Sequence, residues 1–157
     1  MMNSSRKAEL NILDILKHQR NRYPVLLIDK IVEFEPGLKV SGIKCFTYNE
    51  WFFPGHFDDE PNVPGFVQLE SLVQAFILTF LCKDEYSGMK TNFVSINNVK
   101  FKRKIVPGDV LKINATLKSL RFGIAKGYAE SNVEGEAACS ADFVISLPEV
   151  LDNFKPK

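Results

Sequence analysis

The sequence of 157 residues has no excess of charge of either sign, and it contains few cysteines. Its 20 lysines and arginines against 19 aspartates and glutamates leave a formal net charge of +1. That balance gives no electrostatic reason to expect binding to nucleic acid or to an anionic membrane. The three cysteines are odd in number and lack CxxC spacing, which argues against a disulfide framework or a zinc knuckle. A reducing, cytoplasmic location is therefore expected.

Long hydrophobic runs are also absent from the sequence. The N-terminal residues carry charges of both signs and include no apolar stretch typical of a signal peptide. The longest mostly apolar tract, 66–82, is interrupted by polar residues, so it predicts a buried helix rather than a membrane span. We expect a single domain over 1–157, with an N-terminal helical segment over 1–20 and a peripheral tail over 148–157.

Apolar residues recur with helical spacing in two segments and with strand spacing elsewhere. A short helix is predicted over 8–18, and a long one over 64–82 that is apolar around most of its circumference, with Asn62 placed to cap it. Ala137 and Cys139 are predicted to share the core face of the last strand. The predicted strands cover 25–34, 39–47, 93–101, 111–118, 124–133 and 137–147.

A single helix that is apolar nearly all round needs a concave surface to bury it. The predicted strands outnumber those that one flat layer beside such a helix would need. We therefore predict an α+β architecture in which a curled antiparallel sheet wraps around one long central helix.

Two residues around the start of that helix suggest acid–base chemistry. His56 lies in the preceding loop, and Glu70 lies fourteen residues later in the apolar helix. Histidine titrates near neutral pH, and a carboxyl group in apolar surroundings has a raised pKa. A loop histidine is more often structural than catalytic, whereas a buried carboxylate is costly and therefore more informative.

Several sequence blocks occur in the order typical of one enzyme family. They are RYP at 22–24, LLIDK at 26–30, EFEPG at 33–37, GHF at 55–57, PG at 64–65, LE at 69–70 with Gln74, VKF at 99–101 and VPGD at 106–109. Over roughly 20–147 the chain resembles the hotdog-fold β-hydroxyacyl-(acyl-carrier-protein) dehydratases, and within them the FabZ-type branch. No single block is diagnostic, but the ordered set is specific.

The resemblance implies dehydration of a 3-hydroxyacyl thioester to the trans-2-enoyl thioester, in fatty-acid or related acyl-chain biosynthesis. It implies that His56 removes the α proton, that Glu70 protonates the departing hydroxyl, and that the Gly65 N–H binds the thioester carbonyl. Phe66 and Gln74 complete the implied substrate-binding set. The residue types agree with these roles, because first-turn N–H groups are free and positions 70 and 74 share one helix face.

The resemblance also implies partners. The substrate would be carried on the 4'-phosphopantetheine of an acyl carrier protein, and the reaction would need no metal, nucleotide or redox cofactor. The protein would form at least a homodimer, with a trimer of dimers as the larger alternative, and each site would take His56 and Glu70 from different subunits. Pairing would also protect an open sheet edge. The basic residues at 100–104 have two interpretations, a solvated strand edge and a docking surface for the carrier protein. We slightly prefer the solvated edge.

The loop after His56 departs from the family pattern. Asp58 and Asp59 stand where the family usually has Pro-Gly, Glu60 replaces an arginine, and Asn21 replaces a histidine. A catalytically weakened acyl-thioester-binding subunit is therefore one alternative. A hotdog acyl-thioesterase is another, because such proteins place a carboxylate near the helix start to activate water or to attack the thioester.

Overall fold

The computed structural model describes residues 9–156 as a six-stranded antiparallel sheet around one long helix. The helices are α1 (Ile12–His18), α2 (Gly65–Leu81) and α3 (Pro148–Leu151). The strands are β1 (Lys30–Glu35), β2 (Lys39–Cys45), β3 (Asn92–Phe101), β4 (Val110–Arg121), β5 (Ile124–Val133) and β6 (Glu136–Ser146). Their order in the sheet is β1-β2-β4-β5-β6-β3. No helix in this part of the chain is long and apolar enough to cross a membrane.

Helix α2 lies in the concave side of the sheet and packs against β2, β4, β5 and β6. Phe76, Leu78 and Phe80 of α2 have no exposed surface, and the Phe76 ring stacks on that of Phe143 in β6. Burying each such side chain contributes about 1.5–3 kcal/mol to folding. The predicted curled antiparallel sheet around one central helix is confirmed.

The strand predicted over 25–34 begins only at Lys30. The backbone before it bonds instead to the Gln74 side chain, whose Oε1 accepts the N–H groups of Leu27 (2.8 Å) and Ile28 (3.3 Å). Gln74 Nε2 donates to the Val25 carbonyl at 2.8 Å. Because these polar groups are satisfied by a helix side chain, the segment needs no neighbouring strand.

Two further predictions were wrong in detail. The helix predicted over 8–18 begins outside the described residues, and α1 itself starts only at Ile12, because the backbone of Leu10 pairs with Ile31 in an antiparallel bridge. In β6 the register shifts between Cys139 and Ala137, so that Ala138 is an extra residue. This bulge buries Ala138 and exposes Ala137, which was predicted to face the core.

The two edges of the sheet differ in how they are covered. At the β1 edge, Leu10 exchanges two backbone hydrogen bonds with Ile31, of 3.0 and 2.9 Å. Strand β3 pairs only with β6 among the described residues, and it exposes apolar side chains along its length. These are Phe93, Val94, Ile96, Val99 and Phe101. A ten-residue apolar edge of this kind is a template for pairing with another chain.

The close approach of α2 to β5 depends on the absence of a side chain at Gly127. A Cβ atom there would lie 2.2 Å from the Thr116 carbonyl oxygen and 2.3 Å from Cε2 of Phe76. We expect Gly127→Ala to lower the free energy of unfolding by about 3 kcal/mol, because neither the neighbouring strand nor the buried ring has room to move. Urea unfolding at one fixed protein concentration measures the change.

The matched control for this prediction is Gly55→Ala. A Cβ at Gly55 meets no atom within 4 Å, so this variant should unfold within about 0.5 kcal/mol of the wild type. Equal stability of the two variants would contradict the packing argument.

Candidate active site

His56 is held by a short loop that is closed by its own backbone. It follows a 3-10 turn, Phe53–Gly55, which is anchored by the buried rings of Phe52 and Phe53, with centroids 4.8 Å apart. The His56 N–H donates to the Phe53 carbonyl (3.0 Å), and the His56 carbonyl accepts from the Asn62 N–H (3.1 Å). The backbone of His56 is therefore held by hydrogen bonds to one residue before it and one residue after it in the sequence.

Within residues 9–156 the imidazole ring of His56 has one hydrogen-bond partner. Its Nδ1 lies 3.0 Å from the carbonyl oxygen of Asn62. A carbonyl oxygen only accepts, so Nδ1 must carry the hydrogen, and in the neutral ring the lone pair is then on Nε2. The Phe57 ring stacks on the imidazole at 4.6 Å. This arrangement makes Nε2 the atom that accepts a proton.

Asn62 does not cap α2, and the prediction that it would was wrong. Its Nδ2 donates to the carbonyl of Glu60 (3.0 Å), and the residue before the helix is Pro64, which makes no side-chain cap bond. The N–H groups of Gly65 and Phe66 thus have no acceptor within residues 9–156. Free N–H groups at the positive end of a helix are suited to bind a developing oxyanion.

Gly65 and His56 line one cavity of about 380 Å³. The ring of Phe101 covers Gly65, and a Cβ at that position would lie 3.1 Å from its Cζ atom. Glycine therefore allows both the ring and a ligand to approach the helix start closely.

Glu70 is half-buried on α2, and its carboxyl group is oriented by amides. Gln74 Nε2 donates to Glu70 Oε1 at 2.8 Å, the contact that the four-residue spacing predicts, and Asn21 Nδ2 lies 3.5 Å from the same oxygen. Burial raises the pKa of Glu70, and the hydrogen bond from Gln74 offsets this only in part. Since Oε2 has no partner among the described residues, the proton of the neutral acid belongs on that oxygen.

Glu70 lines two cavities, and His56 lines neither of them. The first, of about 400 Å³, is almost wholly apolar and includes Phe66 and Trp51. The second, of about 360 Å³, extends along α2 past Val73. Within one chain, the structure groups His56 with Gly65, and Glu70 with Phe66 and Gln74, but it does not bring both groups into one cavity.

The acidic loop that departs from the family pattern is partly neutralised. Lys104 forms an ion pair with Glu60, and its hydrogen bond and charge lower the pKa of the Glu60 carboxyl. Asp58 and Asp59 are exposed. Within residues 9–156 no group of three or more histidine, cysteine or acidic side chains is placed to hold a metal ion.

Sequence reasoning missed the role of the Asn62 main chain. The carbonyl that fixes the tautomer of His56 belongs to the backbone, so no side-chain pattern identifies it. Only the short separation of the two residues, six positions, hints that the loop could close on itself.

A curled antiparallel sheet around one central helix is the hotdog architecture, and here it carries an oriented histidine and a half-buried carboxyl group. The model of the FabA-like domain family matches residues 20–142. The chain therefore belongs to the FabA-like domain family.

Relatives within this family cover nearly the whole chain. It is 41% identical over 138 residues to the 3-hydroxyacyl-(acyl-carrier-protein) dehydratase FabZ of Clostridium novyi (strain NT), which covers 88% of this chain and 97% of that protein. The FabZ of Clostridium tetani (strain Massachusetts / E88) is 44% identical over 138 residues, covering 87% and 97%. The resemblance to FabZ-type proteins, predicted from the ordered blocks, is confirmed.

The fold is also similar to that of solved structures. The dehydratase heterocomplex ApeI:P from Xenorhabdus doucetiae matches with a TM-score of 0.74 at 13% identity, covering 90% of this chain and 97% of that chain. At this identity the likeness establishes the fold alone, and it confirms the predicted hotdog architecture.

The raised pKa of Glu70 has a consequence for stability. Between pH 4.5, the ordinary pKa of a glutamate, and the higher pKa of the folded state, the unfolded chain ionises this group more than the folded chain does. The folded state binds more protons in that range, so its stability falls as the pH rises towards the folded pKa. We expect Glu70→Gln to gain stability relative to wild type as the pH rises above 4.5, as measured by urea unfolding at a series of pH values.

Glu60→Gln is the control with the opposite sign. Its pKa is lowered by Lys104, so the wild-type contribution is present above pH 4.5 and is lost as the pH falls through the folded pKa. The variant should therefore lose stability relative to wild type as the pH rises, by a small amount because the pair is exposed. A pH-independent difference for Glu70→Gln would contradict the assigned burial effect.

Proposed function

We propose that this protein is a 3-hydroxyacyl-(acyl-carrier-protein) dehydratase, which converts a 3-hydroxyacyl thioester to the trans-2-enoyl thioester and water. Two observations carry the proposal: the Asn62 carbonyl holds His56 Nδ1 and leaves Nε2 to face a substrate, and burial raises the pKa of the Glu70 carboxyl group. The two clostridial relatives are named for this reaction and match 87–88% of the chain.

The reaction needs a base, an acid and a site for negative charge. His56 Nε2 takes a proton from C2, and the electrons move into the thioester carbonyl, whose oxygen is stabilised by the Gly65 N–H. The electrons then return to form the C2–C3 double bond while the C3–O bond breaks. Glu70 Oε2 gives its proton to the leaving oxygen, which departs as water. His56 ends protonated and Glu70 ionised, and a net proton transfer through water restores both.

We propose that each site contains His56 of one subunit and Glu70 of the other. Support comes from the open edge of β3, whose two ends lie beside different cavities. Phe101, at one end, lines the His56 cavity, whereas Phe93 and Ile96, towards the other, line the apolar Glu70 cavity. If two copies pair antiparallel through β3, the Phe101 end of each meets the Phe93 end of its partner.

The same pairing would bury the apolar side chains that β3 exposes. It would also join the two half-sites that a single chain keeps apart, twice in each dimer. Pro24, Trp51 and Phe66 around the apolar cavity offer further surface for a partner loop.

The substrate in this proposal is bound to an acyl carrier protein, and the reaction takes place in the cytoplasm. The free thiols of Cys45, Cys82 and Cys139 support a reducing compartment. Burial raises the pKa of Cys82 to about 12 and that of Cys139 to about 11, so these two thiols are inert. The relatives favour the dehydratase over the thioesterase alternative.

Loss of either proton-transfer group should abolish most of the activity. We expect His56→Ala and Glu70→Gln each to lower kcat for hydration of a 2-enoyl thioester by about 10²–10⁴-fold, because each removes one proton transfer. Loss of 2-enoyl absorbance follows the reaction, and release of free thiol is measured in parallel. Wild-type turnover no faster than both variants, or thiol release instead of hydration, would sink the proposal.

Mixing the two inactive variants tests the shared site. If His56 and Glu70 act across subunits, half of the dimers co-expressed from equal amounts of His56→Ala and Glu70→Gln chains are mixed, and each mixed dimer has one intact site. Activity should then recover to about a quarter of wild type. Sites contained within single chains would give no recovery.

A further inference from the structure

The second Glu70 cavity follows one stripe of α2. Glu70, Val73, Ile77 and Leu81 form its wall, and these residues recur at helical spacing on one face. Eleven residues separate the first from the last, so the stripe is about 16 Å long. Its opposite side is closed by Phe93 and Ile145. Asn21, Thr91 and Asn92 also line the cavity, so half of its lining residues are polar. A chain whose methylenes follow the apolar stripe would therefore meet polar groups around the rest of the cavity.

The open rim of this cavity is cationic. Arg20 belongs to the segment after α1, and Lys90 belongs to the segment before β3. Two separate segments of the chain therefore each contribute one cation to the cavity. Both side chains are exposed, and neither has an ion-pair or hydrogen-bond partner among residues 9–156. Two carboxyl groups lie nearby. Glu70 lines the cavity itself, and Glu149 accepts the backbone N–H of Lys90 at 3.3 Å rather than its ammonium group.

Two of the three cations that line the His56 cavity are already paired, and the third, Lys102, has no partner within residues 9–156. Arg103 contacts Asp109 and Glu136, and Lys104 contacts Glu60. The free pair at the cavity rim is thus placed to bind an anion supplied by a ligand.

We propose that the acyl chain this protein dehydrates ends in a carboxylate, which Arg20 and Lys90 bind at the rim while the methylenes lie along α2. The inference rests on the proposed function, because it takes Glu70 as the group beside C3 of the substrate. If the chain ended in a methyl group, Arg20, Lys90 and the neighbouring Thr91 would bind only water. A terminal carboxylate would form ion pairs with both cations.

The phosphate of the carrier's phosphopantetheine arm is the other source of an anion. The thioester carbonyl is assigned to Gly65, which lies in the His56 cavity. The arm therefore leaves on that side, and the acyl tail continues from C3 past Glu70 of the partner. This geometry favours the tail as the group that reaches Arg20 and Lys90.

The test compares two tails on two carriers. Thioesters of a 3-hydroxy acid with a terminal carboxylate and of its methyl-ended analogue of equal length are attached to N-acetylcysteamine, which has no phosphate, and to acyl carrier protein. The ratio of kcat/KM for the two tails is the readout. We expect wild type to favour the carboxylate tail roughly tenfold on both carriers, and Arg20→Ala/Lys90→Ala to abolish that preference.

Two variants control for charge. Lys112→Ala/Lys126→Ala removes the same charge from exposed strand positions that line none of these cavities, so it should keep the preference. Arg20→Lys/Lys90→Arg keeps both charges and should retain most of it.

Each contrary outcome has a distinct meaning. A wild-type preference for the methyl tail, or a preference that survives Arg20→Ala/Lys90→Ala, overturns the inference while leaving the dehydratase activity established. If the double variant loses turnover of both tails only on the carrier protein, the cations bind the phosphate and the inference is also overturned. If neither tail is dehydrated on either carrier, the proposed function itself fails.

Discussion

The buried amide of Gln74 is the interaction on which the proposed site depends most. Its oxygen accepts two backbone N–H groups, and its nitrogen donates to the Val25 carbonyl and to Glu70. All its hydrogen-bonding groups are used, so the amide has one permitted orientation. That orientation directs a donor to Glu70 Oε1 and leaves Oε2 without a partner within residues 9–156. One fully buried side chain thus joins the fold of 25–28 to the orientation of the acid.

His56 is oriented by a backbone carbonyl rather than by a side-chain amide, but its ring is held just as Glu70 is. The Asn62 carbonyl accepts from Nδ1 of His56, as Gln74 donates to Oε1 of Glu70. His56 is therefore oriented by a loop and Glu70 by a helix. An open β3 edge between the two cavities gives a physical reason why completing the site would require a second chain.

Much of the fold could be predicted from the sequence because apolar periodicity determines which faces are buried. Helix α2 was predicted within one residue at each end, and β5 was predicted with its observed bounds. The errors arose where the backbone conformation depends on interactions that apolar periodicity does not reveal. The Gln74 side chain bonds to the backbone of 25–28 in place of a neighbouring strand. A bulge buries Ala138 and exposes Ala137, the reverse of the predicted arrangement. The same limit holds for the site, where His56 and Glu70 were identifiable as residue types but the carbonyl that orients His56 was not.

The acidic loop changes how the entrance to the His56 cavity can attract a carrier protein. Lys104 is paired with Glu60, and Arg103 is paired with Asp109 and Glu136. Of the basic residues at 100–104, Lys100 and Lys102 therefore have no partner in the described chain. Asp58 and Asp59 add exposed negative charge in the loop after His56, with no partner within residues 9–156. Long-range attraction of an acidic carrier is therefore weaker than the four basic residues suggest, because paired charges contribute little beyond a Debye length. In the proposed complex, recognition would then depend more on contacts that Gly65, Phe101 and His56 make inside the cavity than on charge at its entrance.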